Sequence, residues 1–290
     1  MPARVTSRSL PTPGVVVLTR NRRDRVIATL DQLAELPEQP QVVLVDNASH
    51  DGTARAVGAR HPHVRVLRKE ANAGASGRNA GVRALDTELV ALNDDDSWWA
   101  PGALRRAAEV FAARATLGLL QARILVGNDE RLDPVCSSMR TSPLHAPPGL
   151  PGPAVLGFVA CGAVVRRTAF LGAGGFNPRL QIGGEEKLLA FDLAASGWEL
   201  AYVDSVVAHH HPDSSERTDR LGQLLRNELW TAWLRRRLPG AAVTSTRIAA
   251  RAVRERRARV LLEALRGLPW VLAERRPLTA PLDRAARSVY

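Results

Sequence analysis

The sequence predicts an α/β fold: a doubly wound, mostly parallel central sheet followed by a C-terminal helical extension. Three observations predict it. Short apolar runs rich in Val and Leu alternate with helical patterns over the first hundred residues, as strands buried on both faces do. Polar clusters stand directly after three of those runs, where ligands bind beyond the carboxyl ends of such strands. After residue 215 the pattern becomes helical and Arg-rich.

The elements follow in order. Gly14-Val15-Val16-Val17-Leu18-Thr19 is the first strand. A helical pattern runs through Val26, Ile27, Leu30, Leu33 and Leu36 and ends at Pro37. Val42–Val45 is the second strand, and a helix then reaches Arg60. Val64–Leu67 is a third, shorter strand. Residues 72–81, Asn-Ala-Gly-Ala-Ser-Gly-Arg-Asn-Ala-Gly, open a further helix, and Leu89–Leu92 is the fourth strand. Residues 126–153 hold six prolines from Pro134 onward and read as a long irregular loop, of the kind that is usually functional or mobile inside an α/β domain. Val155–Arg166 and Glu199–Val203 read as strands. Residues 216–238 have helical spacing stopped by Pro239-Gly240, and a second amphipathic helix is expected from Ile248 to about Leu265. The expected units are a disordered segment 1–13, an α/β domain 14–215 and a basic helical extension 216–290.

The 290 residues are 45% hydrophobic and 24% charged, enough for a sizeable core. Two cysteines, Cys136 and Cys161, without metal-type spacing imply neither a disulfide framework nor a cysteine metal site, and they suit a reducing compartment. The N-terminal residues lack the apolar core of a signal peptide, and no run is long enough to span a bilayer. The expectation is a cytoplasmic protein. Residues 235–290 hold 14 arginines, no lysine and four acids, so ten of the chain's eleven net positive charges fall there. A basic stretch interleaved with Leu, Val and Trp suits either a solvated helical cap or a peripheral anchor at the anionic inner face of the cell membrane, with Trp270 and Leu272 dipping in. It lacks a recognisable nucleic-acid-binding module, so no nucleic-acid partner is expected.

The chemistry is concentrated at the strand ends. Asp94-Asp95-Asp96 closes the fourth strand, and adjacent buried carboxylates are costly unless paired. Taken alone, the triplet reads equally as a turn capping the next helix. Thr19-Arg20-Asn21-Arg22 and Asp46-Asn47 close the first two strands, and three such clusters on one rim favour a site with a hard cation and phosphates. A Rossmann oxidoreductase would need G-x-G-x-x-G directly after the first strand, where Thr-Arg-Asn-Arg stands. A second acidic pair, Glu185-Glu186, follows Gly183-Gly184 at a helix start, and His209-His210-His211 closes the last strand pattern.

These pieces, with Val45–Thr53, Cys161–Arg167, Gly174-Gly175-Phe176, Asp192-Leu193 and Gly197-Trp198, resemble family 2 glycosyltransferases from about residue 14 to 211. Those are inverting, nucleotide-sugar-dependent hexosyltransferases of the GT-A fold. The resemblance implies that Asp46 accepts from the base or ribose, with Thr19 and Arg22 on the same wall and Arg78 on the diphosphate or base edge. Arg20, Asn21, Asn47, Ser49 and Gly74 complete the implied donor-binding set. Asp94-Asp95-Asp96 corresponds to the family's D-x-D element, so Asp94 and Asp95 would orient ribose and water, and Asp96 would ligate Mn²⁺ or Mg²⁺. His210 or His209 would join it, with His211 disfavoured by Pro212. Glu186 would be the general base, with Glu185 second. Asn93 departs from the family's common forms. Cys161-Gly162-Ala163 is small enough to let a sugar approach, or to let strands pack closely. The implied partners are a nucleotide-sugar donor and a hydroxyl acceptor. A sugar-phosphate nucleotidyltransferase would want a Gly-rich, Lys-containing first loop, which is absent. A non-catalytic nucleotide-sugar-binding module is the third alternative.

Overall fold

A computed structural model describes residues 10, 12–212 and 220–290. The segment expected to be disordered lies almost wholly outside them. The chain runs β1 (Gly14–Thr19), α1 (Arg23–Ala34), β2 (Val42–Asp46), α2 (Thr53–Arg60), β3 (Arg65–Arg68), α3 (Arg78–Ala84), β4 (Leu89–Asp94), β5 (Ser97–Trp99) and α4 (Ala103–Ala113). It continues with β6 (Leu117–Val126), β7 (Arg131–Leu132), α5 (Pro134–Arg140), β8 (Ala163–Arg166), α6 (Arg167–Gly172), α7 (Glu185–Ala195) and β9 (Glu199–His210). Five helices follow: α8 (Leu221–Arg235), α9 (Leu238–Arg254), α10 (Arg259–Arg266), α11 (Leu268–Ala273) and α12 (Ala280–Val289).

The sheet order is β3-β2-β1-β4-β8-β6-β9-β5, with β7 on the edge of β6. The first four strands are parallel, and antiparallel pairings enter with β8. Strand alternation explains the continuous apolar runs. Val15, Val17, Leu44 and Ala91 face a core with α1 and α4, while Val16, Val43, Val45 and Leu92 face a second core with α3, α6 and α7. Register then sets the rim. Thr19 stands opposite Asp46, and Leu18 opposite Asp94, so three polar strand ends arrive at one level.

Three local expectations are corrected. The Pro-rich stretch contains α5, because Asp133 accepts from Val135 N at 2.7 Å as N-cap and Pro134 occupies the first turn. Residues 155–162 are not a strand; a 3-10 turn, Ala160–Gly162, precedes β8. Pro239 does not merely stop a helix. It sits in the first turn of α9, and the expected helix to Leu265 is two helices, α9 and α10.

The C-terminal helices pack onto the α/β unit through shared cores. Leu225, Leu229 and Leu234 of α8 join Ile248, Val260 and Val271 around Leu180 and Leu188, and Leu278 and Ala286 pack on Phe191 and Leu156. Trp270 packs edge-on against Trp230 at 5.3 Å, so it is part of this core and not a free anchor. Several arginines are structural as well. Arg235 pairs with Asp192, Arg247 with Glu228, and buried Arg236 with buried Asp283 at 2.7 Å.

Asp283 shows what this pairing contributes. It also accepts from Arg237 N at 3.1 Å and Arg287 at 2.9 Å. Burial alone would raise its pKa, but these donors overcome burial and hold it below the usual carboxylate range. A depressed carboxylate stabilises above its unfolded pKa of about 3.9, and that stability is lost as pH falls through the folded value. Asp283→Ala leaves Arg236 buried and unpaired, so chemical denaturation at pH 7 should show a loss of about 3–5 kcal/mol. The gap from wild type should narrow steadily below pH 4.

Candidate active site

The rim opens into a cleft of about 870 Å³ at the carboxyl ends of β1, β2 and β4. Thr19, Arg20, Arg22, Asn47, Gly74, Arg78, Asp94, Asp95, Asp96, Glu185, Glu186 and His210 line it, with Asn72, Ala160, Ile182 and Arg220. Asn21, Asp46, Ser49 and His209 fall outside this lining.

The acidic turn is held by a bracket behind it. Asn93 is fully buried, donates to Ser97 O at 2.7 Å and accepts from Trp99 Nε1 at 2.6 Å. Ser97 Oγ accepts from Asp94 N at 2.9 Å. Asn93 keeps the turn closed, because an amide can both donate and accept there. Thr29 donates to Asp95 O at 2.7 Å.

Each carboxylate is paired, two of them by the same arginine. Arg78 donates to Asp94. Arg22 reaches Asp95 at 2.7 Å and Asp96 at 2.9 Å, and Thr19 donates to Asp95 at 2.7 Å. Burial pushes Asp95 up to about 6 against the pull of Arg22 and Thr19. Asp96 is also buried, but His210 at 3.4 Å and Arg22 hold it below the usual range.

Strand alternation decides between the histidines. His210 points into the cleft beside Asp96. His209 and His211 lie on the other side, against Trp98 at 5.7 and 4.6 Å. His209 is therefore not brought to the acidic turn, and its near carboxylate is Glu130 at 3.5 Å. Ligating atoms of Asp94, Cys161 and His210 lie within 4.8 Å of one another. This donor set fits a divalent cation, and Cys161 was not marked as a ligand by any sequence spacing.

The second wall is built by loops locked to each other. Asn47 donates to Asn72 Oδ1 and Gly74 O and accepts from Ala73 N at 2.8, 3.0 and 2.9 Å. Gly74 sits at φ 59°, and a Cβ there would meet Gln181 O at 2.5 Å, so close backbone approach requires glycine. Asn21 and Ser49 tie the first two strand ends together, since Asn21 N donates to Ser49 Oγ at 2.9 Å. Asp46 is buried below this junction and accepts from Ser49 N at 2.9 Å. Its Oδ2 has no hydrogen-bond partner among the described residues.

Glu185 and Glu186 begin α7 after Gly183 and Gly184, both left-handed at φ 90° and 91°. Glu186 accepts from Ala160 N at 2.8 Å. Burial, reinforced by Glu185, pushes Glu186 above the ordinary carboxylate range, and burial raises Glu185 too. The loop before them hangs from the C-terminal helices. Asn227 of α8 is fully buried and donates to Leu180 O at 2.7 Å, Ile182 O at 3.2 Å and Gly183 O at 2.6 Å. Sequence reading missed Asn227, since a lone Asn in a helical pattern carries no such signal.

A mixed α/β sheet thus gathers acids, arginines and an acidic helix start around one cleft. Residues 14–171 match the family described as Glycosyl transferase family 2. The chain belongs to that family and is a glycosyltransferase. It is 30% identical over 256 residues to an N-acetylglucosaminyl-diphospho-decaprenol L-rhamnosyltransferase of Mycobacterium tuberculosis, covering 74% of this chain and 80% of the relative. It is 34% identical over 103 residues to the succinoglycan biosynthesis protein ExoO of Rhizobium meliloti, covering 34% of this chain and 30% of that one. The fold is similar to the mannosyltransferase PcManGT of Pyrobaculum calidifontis in complex with GDP-Man and Mn²⁺, with TM-score 0.60, 18% identity, and coverage of 96% of this chain and 85% of that one. It is also similar to GalNAc-T7 with UDP, GalNAc and Mn²⁺, with TM-score 0.59, 17% identity, and coverage of 78% of this chain but 48% of that chain.

Asn227 predicts a link between the C-terminal helices and turnover. Asn227→Leu keeps the volume but removes the donor to three carbonyls. Displacing a catalytic group by about 1 Å costs on the order of a hundredfold. Turnover should fall by about ten- to a hundredfold, while nucleotide-sugar affinity stays near wild type. Both are read from steady-state kinetics and a binding titration of the same preparation.

Proposed function

We propose that this glycosyltransferase moves a sugar from a nucleoside diphosphate donor to an acceptor hydroxyl, with inversion at the anomeric carbon. The observation that carries this is the single cleft where the rim of β1, β2 and β4 faces Glu185-Glu186. Thr19, Arg20 and Arg22 line the nucleoside side, with Asp46 buried behind them, and Arg78 opposes charge on the diphosphate. The acceptor O–H gives its proton to Glu186, its oxygen bonds to the anomeric carbon, and the carbon–oxygen bond to the diphosphate breaks on the opposite face. Asp94, Asp96 and His210 would hold Mn²⁺ or Mg²⁺, whose Lewis acidity offsets charge on the leaving diphosphate. Asp96 reaches His210 at 3.4 Å, which makes it either a direct ligand or the group that orients one. The name of the mycobacterial relative supports a lipid-linked sugar as acceptor.

Glu186→Gln removes the base without changing the shape. The raised carboxyl should place the rising limb of the wild-type kcat/KM profile above the ordinary Glu value of about 4.3. In Glu186→Gln that limb should vanish and turnover fall on the order of a hundredfold, while a true donor with Mn²⁺ still raises Tm. Turnover within a few-fold of wild type would move the base to Glu185.

A second observation bears on where the acceptor is met. No helix among the described residues is long and apolar enough to cross a membrane. Val253, Leu262, Leu265 and Leu272 are exposed on α9–α11 beside exposed Arg251, Arg259 and Arg266. This mixture supports contact with an anionic lipid surface. Full-length protein should pellet with anionic vesicles at low salt, less at high salt, and scarcely with neutral ones. Arg251→Gln with Arg259→Gln should weaken vesicle binding by on the order of thirtyfold, at about 1 kcal/mol per charge. Equal pelleting of both proteins would leave these helices as a structural cap.

A further inference from the structure

The chain has two cysteines, and their surroundings differ. Cys136 is a satisfied core thiol. It accepts from Ile124 N at 3.3 Å and donates to Ala122 O at 3.6 Å, on the sheet side of α5. Cys161 is 1% exposed, and its thiol has no hydrogen-bond partner among the described residues. Its sulfur lies instead among the ligating atoms of Asp94 and His210, all within 4.8 Å.

The position of Cys161 is fixed by the backbone around it. Fully buried Gln121 donates to Gly162 O at 3.0 Å and accepts from Val159 N at 2.7 Å. Ala160 N is held by Glu186 at 2.8 Å. A Cβ at Gly162 would meet Ile124 at 2.6 Å, so the 3-10 turn is pressed against β6. The sulfur is thus presented from a clamped turn, as a preorganised ligand is. Tetrahedral Zn²⁺ with bonds of about 2.0–2.3 Å needs its ligating atoms roughly 3.5 Å apart. Closing the remaining gap of about 1 Å exchanges part of the Arg78–Asp94 and His210–Asp96 contacts for bonds to the metal.

We propose that Cys161 is a ligand of the cation site, and that Asp94, Cys161 and His210 together bind thiophilic divalent cations such as Zn²⁺, Cd²⁺ and Co²⁺ without any nucleotide sugar. An oxygen-only set favours Mg²⁺, whereas one sulfur and one imidazole nitrogen shift preference toward softer ions. The metal–sulfur bond forms as the thiol S–H bond breaks, and one proton leaves to solvent for each sulfur–metal bond formed. This rests on reading the acidic rim as a cation site.

The test uses the full chain without donor. Co²⁺ titration should develop a near-ultraviolet thiolate-to-metal charge-transfer band in wild type and in Cys136→Ser. The band should be absent in Cys161→Ser and in Cys161→Ala, which guards against one variant misfolding. Isothermal titration should show Cd²⁺ affinity falling at least tenfold in Cys161→Ser, with Mg²⁺ affinity changed less than twofold. A band that persists in both Cys161 variants, or unchanged Cd²⁺ affinity, would overturn the proposal. Failure of the underlying reading looks different: Mn²⁺ would then leave donor binding unchanged in wild type and variants alike.

Discussion

Three consecutive carboxylates at the end of a buried strand are the constraint around which this protein is arranged. Each loses hydration, and each repels its neighbours. The chain answers with two arginines and a histidine: Arg78 meets Asp94, Arg22 is shared by Asp95 and Asp96, and His210 meets Asp96. Those partners come from α3, the end of β1 and the end of β9. Strand register, the small residues entering α3 and the parity of β9 all follow from the need to deliver them.

Much of the sheet and rim was legible because the signals were local. The apolar runs of β1, β2 and β4 announce strands buried on both faces, and polar residues at their ends announce the rim. The assignment of His210 over His209 was not legible. It depends on the parity of β9 where it pairs with β6, and that ladder shifts register between Ala122 and Arg123. The helix α5 carried its cap, Asp133 before Pro134, but the surrounding prolines outweighed it. The nearness of Cys161 to His210 has no sequence signature, since it arises where the turn before β8 passes under the end of β9.

The C-terminal helices contribute through polar contacts that hydrophobic periodicity could not show. Their apolar stripes were readable, yet the buried pairs Arg236–Asp283 and Arg235–Asp192 decide how they dock. Arginine content that looks like a uniform basic surface is therefore divided between structural pairing and exposed charge. Leu180 and Leu188 belong to the same apolar cluster as α8–α11, so the extension and the α/β unit share one interior there.

The three carbonyls held by Asn227 give that shared interior a thermal meaning. Regions of a protein open locally at free energies below that of global unfolding. If the helical cap loosens first, Leu180, Ile182 and Gly183 lose their common tether while the parallel strands stay paired. Heat inactivation then precedes loss of the sheet, and recovery on cooling is fast because only the cap has to dock again. In that order of events the loop before Glu185-Glu186 is released by the loss of one amide side chain on a helix outside the sheet.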